Sequence, residues 1–249
     1  MERIELLLKN IEGRKKNTNS LLQILSSEST DYYIQKGCEY LWYEHENYAL
    51  KNLFLENNIS KAKQNFYTCA RLDEYATKNY DAKILDYGIN HLSYALLSDC
   101  KELILKYADL KHCVYEEMIQ NGSTTPVYVL QCIIKDDWSE YERVMPIMKN
   151  KSVNKWEMEL DMLYYKALAE KNLTQCEVIL NELLLPQNHN KRNKSYPISS
   201  SFVSHPVIGY AKLAWLKGVE VEINNELIPK ALLRIKPNEI YTNEYSFLN

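Results

Sequence analysis

Glycine and proline are scarce in this chain of 249 residues, at 6 and 7. So few turn-formers argue against an all-β fold and against a glycine-rich loop that cradles phosphate. No Cys-x-x-Cys pair occurs. The cysteines Cys38, Cys69, Cys100, Cys113, Cys132 and Cys176 stand singly, which fits buried, reduced thiols better than a zinc site or a disulfide framework. An excess of positive charge is also missing: 30 Lys and Arg face 33 Asp and Glu, for a net charge of −3. That balance excludes a strongly basic nucleic-acid binder, which needs clustered cations with little competing acid. No apolar run approaches the roughly 20 residues of a membrane span. The start, Met1 to Lys9, holds only Leu6-Leu7-Leu8 as an apolar stretch, so no signal peptide is expected and the cytoplasm is the default location.

Motifs that assemble reactive groups are absent as well. The chain has no phosphate loop, no dinucleotide fingerprint and no Gly-x-Ser-x-Gly elbow. Its 5 histidines are dispersed. Glu44-His45-Glu46 lacks the His-Glu-x-x-His spacing of a zincin helix, and His112-Cys113 are helical neighbours that face apart. No cofactor, no metal and no catalytic residue is expected.

What the sequence does contain is tyrosine, 20 against 4 Phe, and a 3.6-residue apolar period almost throughout. Tyrosine suits half-buried helix packing and interfaces alike. Ile4, Leu7, Leu8 and Ile11 share one helix face before Gly13 interrupts it. Ser29-Thr30-Asp31 reads as a cap for a helix running to about Asn57, and Ile59-Ser60 restarts another. Asp99 could cap a further helix. Thr125-Pro126 opens a short apolar one, with proline placed where its missing N–H costs nothing. Asp137, Lys155 and Leu173 begin three more, joined by short polar connections as in antiparallel hairpins. Residues 186–204 read as one irregular loop, and Gly218 as a C-cap. Alternation in Val219-Glu220-Val221-Glu222-Ile223 leaves room for a short extended segment. The expectation is an all-α chain of antiparallel helical hairpins stacked as a bundle or solenoid-like array. It forms a single domain over 1–249, with halves at 1–120 and 121–249.

The remaining candidates are surface groups. Glu44 and Glu46 read as a solvated helix face, as do Asp136, Asp137, Glu140 and Glu142, and Glu157, Glu159 and Asp161. If any of these matters, it should meet basic residues of a protein partner. Glu44, Glu46, Asp136, Asp137, Glu140 and Tyr141 are the residues chosen for that role. Lys191-Arg192-Asn193-Lys194 reads as a solvated loop, and Ser204-His205-Pro206 as a helix N-terminus.

The C-terminal stretch is the most distinctive string: Phe202-Val203-Ser204-His205-Pro206-Val207-Ile208-Gly209-Tyr210-Ala211-Lys212-Leu213-Ala214-Trp215-Leu216-Lys217-Gly218-Val219-Glu220-Val221, then Leu227 to Leu233. It resembles the end of bacterial polymorphic-toxin immunity proteins, most nearly the immunity protein 49 family. Thr125-Pro126, Asp137-Trp138 and the Asp-x-x-x-Tyr-x-Ala-Leu pattern from Asp161 are similar to that family too. The resemblance implies an antitoxin that binds a cognate toxin domain and blocks it, with no catalytic site and with contact residues that vary among members. A helical adaptor that takes a peptide in a groove is the second reading. An enzyme would need a deep pocket with converging polar groups.

Overall fold

The computed structural model describes residues 2–26, 30–153 and 157–249. Among them are thirteen α-helices and no strand. The N-terminal half holds α1 (Glu2–Ser26), α2 (Asp31–Phe54), α3 (Ile59–Tyr80), α4 (Ile89–Ser98), α5 (Lys101–Ala108) and α6 (Tyr115–Asn121). The C-terminal half holds α7 (Thr125–Lys135), α8 (Trp138–Ile147), α9 (Glu159–Ala169), α10 (Leu173–Leu183), α11 (Pro186–Asn193), α12 (His205–Leu216) and α13 (Lys230–Leu233).

The α2–α3 hairpin is the platform. Leu41, Ala49, Phe66, Cys69 and Leu72 are fully buried along its seam, at the spacing that the apolar period demands. Local chemistry sets its ends: the Asn58 side chain accepts the Lys61 N–H to start α3, and Asp81 stops it in the left-handed region at φ 51°. Helix α1 lies along α2, and α4 is held between α3 and α12. Where α12 meets α4, a Cβ on Gly209 would stand 2.7 Å from the Ser93 Cβ, so only glycine permits this approach. In the C-terminal half α7 packs on α5 and α8, and α9 pairs with α10. Pro146 sits in the last turn of α8, and the chain widens into a π-helical turn at Met148–Ser152. A main core cluster runs from Ile34 to Leu248, and a smaller one joins Leu7, Ile11 and Leu50 to Phe202 and Val203.

Several local expectations need correction. Helix α1 continues through Gly13. The cost of an interior glycine is only about 1 kcal/mol. Beyond it, Tyr40 donates to the Arg14 carbonyl and Thr18 to Glu44, which holds the later turns on α2. Residues 186–204 are not one irregular loop: Pro186 opens α11, whose His189 and Asn193 are buried, and Ser199–Ser201 form a 3-10 turn. This helix is polar, so its order comes from tertiary contacts that composition does not reveal. Asp99 ends α4 at φ 60° rather than capping α5, whose N-cap is Cys100. Residues 219–223 carry neither helix nor strand, yet Val219, Val221 and Ile223 are buried while Glu220 and Glu222 are exposed, as the alternation implied. Ser29 and the expected helix start at Lys155 lie outside the described residues.

Candidate functional site

At the corner where α7 turns into α8, four of the six chosen residues come together. Asp136 takes the left-handed conformation at φ 57° that ends α7. Its carboxylate pairs with Lys217 at 2.6 Å. Asp137 caps α8 by accepting the Glu140 N–H at 3.1 Å. Glu140 accepts from the Tyr128 hydroxyl and from Arg143 Nε, each at 2.7 Å, and Arg143 Nη2 closes the second arm of the ion pair. The Arg143 hydrogen bonds hold the Glu140 carboxyl down at about 2. Trp138 is 38% exposed in this acidic setting. Tyr141 lies beneath it edge-on, with ring centres 5.7 Å apart. Only 4% of Tyr141 is exposed, and burial pushes its hydroxyl up to about 12.

Glu44 and Glu46 do not join this corner, and the expectation of a solvated face is corrected for both. They sit in the interior, at 5% and 3% exposure, with His45 between them at 2%. Glu44 accepts from Thr18 at 2.8 Å and from Tyr48 at 3.0 Å. Glu46 accepts from the Tyr94 hydroxyl and lies 3.3 Å from His205 Nε2. Asn65 donates its amide to the Lys61 carbonyl, so its Oδ1 accepts from His45 Nδ1 at 2.8 Å. The opposite nitrogen of His45 then accepts from the Tyr245 hydroxyl at 2.7 Å. The periodicity misleads here because α2 is covered on several sides: α1, α3 and the C-terminal segment each meet a different face. A helix buried all round needs polar partners inside, since an unpaired buried polar group is costly.

Three further polar clusters escape a reading of the sequence alone. Asp99 binds Lys63 at 2.6 Å and also Lys212, and all three side chains are almost inaccessible. Both lysines reach on to main-chain carbonyls of the C-terminal segment, Lys63 to Lys236 and Lys212 to Leu233 and Arg234. Burial depresses the Lys212 ammonium to about 8. Asp161, expected on an exposed face, is fully buried; it takes a bidentate pair from Arg192 at 2.6 and 2.9 Å and the Tyr210 hydroxyl. Arg192 is therefore no part of a solvated loop. Asp73 accepts from Trp42 Nε1 at 3.2 Å and lies 2.8 Å from His91 Nδ1. A signal did exist: Asp73, Asp161 and Lys212 each fall on the apolar stripe of their helix, where a charge demands a partner.

The cysteines are all free; Cys38, Cys69, Cys132 and Cys176 are buried as expected, whereas Cys100 is half-buried and Cys113 exposed. Cys113 instead bonds Asp81 through both its backbone N–H and its thiol. His112 is buried, and Ser204 and His205 open α12 with Pro206 in the first turn.

Two of the surface cavities are walled by a mixture of polar and apolar side chains. One, of about 330 Å³, is lined by Trp42, Tyr43, Asp73, His91 and Tyr196. The other, of about 380 Å³, lies among Ile89, Met118, Val127, Met158 and Arg192. Among the described residues no group of three or more His, Cys, Asp or Glu is arranged to hold a metal. No described helix is long and apolar enough to cross a membrane.

The α7–α8 corner, α9 to α12 and most of α13 fall within the stretch 126–232 that matches the family model described as Immunity protein 49. No curated protein and no solved structure matches the chain. The matched stretch takes in Asp137-Trp138, the Asp161 pattern and nearly all of the distinctive C-terminal string, and leaves out Glu44 and Glu46. Over residues 126–232 the chain is similar to the immunity protein 49 family.

Proposed function

We propose that this protein neutralises a cognate toxin domain by binding it stoichiometrically in the cytoplasm, with no catalytic step of its own. The observation that carries this reading is the immunity protein 49 match over 126–232. That stretch bears an exposed tryptophan, Trp138, with Asp136, Asp137 and Glu140 within two positions of it in the sequence. Inhibitory binding needs roughly 1,600 Å² of complementary surface and a few aromatic anchors, and charge of opposite sign speeds the encounter. Asp136, Asp137 and Glu140 are the proposed contacts to a basic toxin surface, with Tyr141 supporting Trp138 from below. Glu44 and Glu46 are withdrawn from that role because no partner reaches them.

The support for a single folding unit over 1–249 is of the same kind. Asp99 of α4 binds Lys212 of α12, and Tyr94 of α4 lies 2.9 Å from His205, so charged and polar clusters tie the two halves together.

The test is recovery of the bound partner from the native cell, followed by titration of the purified toxin domain. Loss of toxin activity at a one-to-one ratio supports the proposal. Recovery of a short peptide segment as the sole ligand would replace it with a groove-binding adaptor.

A further inference from the structure

The cavity beside α2 has a chemistry that the toxin-binding reading leaves unused. Its walls include Trp42 and Tyr43 from α2, Tyr196 from the segment after α11, and Tyr32 at the mouth. Trp42 stacks on His91 at 4.7 Å, which turns a flat aromatic surface along one side. At the floor lies Asp73, whose side chain is 3% exposed. Both hydrogen bonds to that carboxylate, from Trp42 Nε1 and His91 Nδ1, land on Oδ2; Oδ1 carries neither. The cavity is thus an aromatic box with a desolvated carboxylate at its base, a combination that attracts a cation twice, through the ring faces and through the charge.

The rim carries one acid against two lysines. Glu39 and Lys36 pair at 2.6 Å and are each about half exposed, at 48% and 56%, while Lys83 is exposed beside them. Water screens these rim charges far more than it screens Asp73, so the floor decides the sign of the guest. Burial also raises the Asp73 carboxyl above its ordinary value, so a cation docked against it relieves an existing cost.

We infer that this cavity binds an organic cation, an ammonium or guanidinium carried on an aliphatic stem, and that the cation is a lysine or arginine side chain presented by the protein partner. The source, though not the cavity's chemistry, rests on the toxin-binding reading above. A volume of about 330 Å³ is ample for one such side chain.

The test uses the full chain and small probes: n-butylguanidinium and n-butylammonium as cations, with n-butylurea as the neutral counterpart, followed by ligand-observed NMR and by tryptophan fluorescence. Saturable binding of the cations is expected, weakened by rising salt, and at least tenfold tighter than that of n-butylurea. Asp73→Asn should weaken the cations at least tenfold and leave n-butylurea unchanged, and Tyr43→Ala, which changes a half-buried wall residue, should weaken them severalfold. Circular dichroism of both variants establishes that they are folded. Equal binding of n-butylurea, or cation binding unaffected by both substitutions, overturns the inference. A second arm adds n-butylguanidinium to the complex with the recovered toxin. Competition for the toxin places the cation on the partner, whereas probe binding with the complex intact overturns the assignment to a partner side chain and leaves a site for free cations. Because the probe arm needs no toxin, failure of the cavity and failure of the antitoxin reading are read separately.

Discussion

Glu46 and Glu140 each hold a tyrosine hydroxyl, Tyr94 on the one and Tyr128 on the other. Beyond that likeness they live in opposite worlds. Glu46 is 3% exposed and sits among Tyr94, His205 and the α2–α3 seam, whereas Glu140 is held by Arg143 at the edge of the solvent, with 24% of its side chain exposed. An acid in the interior is part of the scaffold, because removing it strands donors that water cannot reach. An acid at the α7–α8 corner is reached by solvent, so water and Arg143 take up the slack when it is changed. Acids locked into buried polar clusters, which also occur within the matched stretch at Asp161, are thus set apart from the acids of the α7–α8 corner that face solvent.

The sharpest way to break that division is at Asp99. Asp99→Ala leaves the Lys63 and Lys212 ammoniums facing each other without their common anion, and breaking a buried pair of this kind costs about 3–5 kcal/mol. Urea unfolding should show that loss, or the variant should fail to fold; a loss below about 1 kcal/mol would mean that the cluster is not buried as described. Next comes Glu46→Ala, which removes the carboxylate acceptor of the buried Tyr94 hydroxyl at a cost of about 1–3 kcal/mol. Tyr94→Phe combined with it should recover part of the loss, and a double-mutant cycle measures the coupling.

Smaller effects belong to the corner. Asp137→Ala removes the α8 cap and should cost about 1 kcal/mol. Glu140→Gln should cost less than about 1 kcal/mol near neutral pH, as exposed ion pairs do. Its signature is instead in acid. The folded carboxyl is depressed from 4.5 to about 2, so its contribution is present above 4.5 and is lost as pH falls toward 2. The stability of Glu140→Gln should therefore fall less steeply between pH 4.5 and 2 than that of the parent, as followed by denaturant midpoints; parallel profiles would contradict the Arg143–Glu140 geometry.

How far the sequence carried differed between the same two regions. The α7–α8 corner was legible because Thr125-Pro126 and Asp137 are local signals, and Asp137 caps α8 as its position implied. The α2 interior was not. Glu44-His45-Glu46 has the polarity of a surface, and only the packing of α1, α3 and the chain's last residues around α2 shows why it is inside. Likewise α11 has no apolar stripe, and its order depends on Arg192 reaching Asp161, which is 31 positions away. Long-range partners of this kind leave no trace in local periodicity. The misplaced charges themselves, Asp73, Asp161 and Lys212 on apolar stripes, are the trace that a closer reading could follow.

The central claim is that the protein acts by occupying a toxin, with the acidic corner as part of the contact. It is tested most directly by titrating the recovered toxin domain with the purified protein while following toxin activity. The account predicts that activity ends at one protein per toxin, that Asp136→Asn combined with Glu140→Gln weakens binding at least tenfold, and that Glu46→Gln, once folded, binds as the parent does. Protection at far less than one equivalent would mean turnover, and would contradict it.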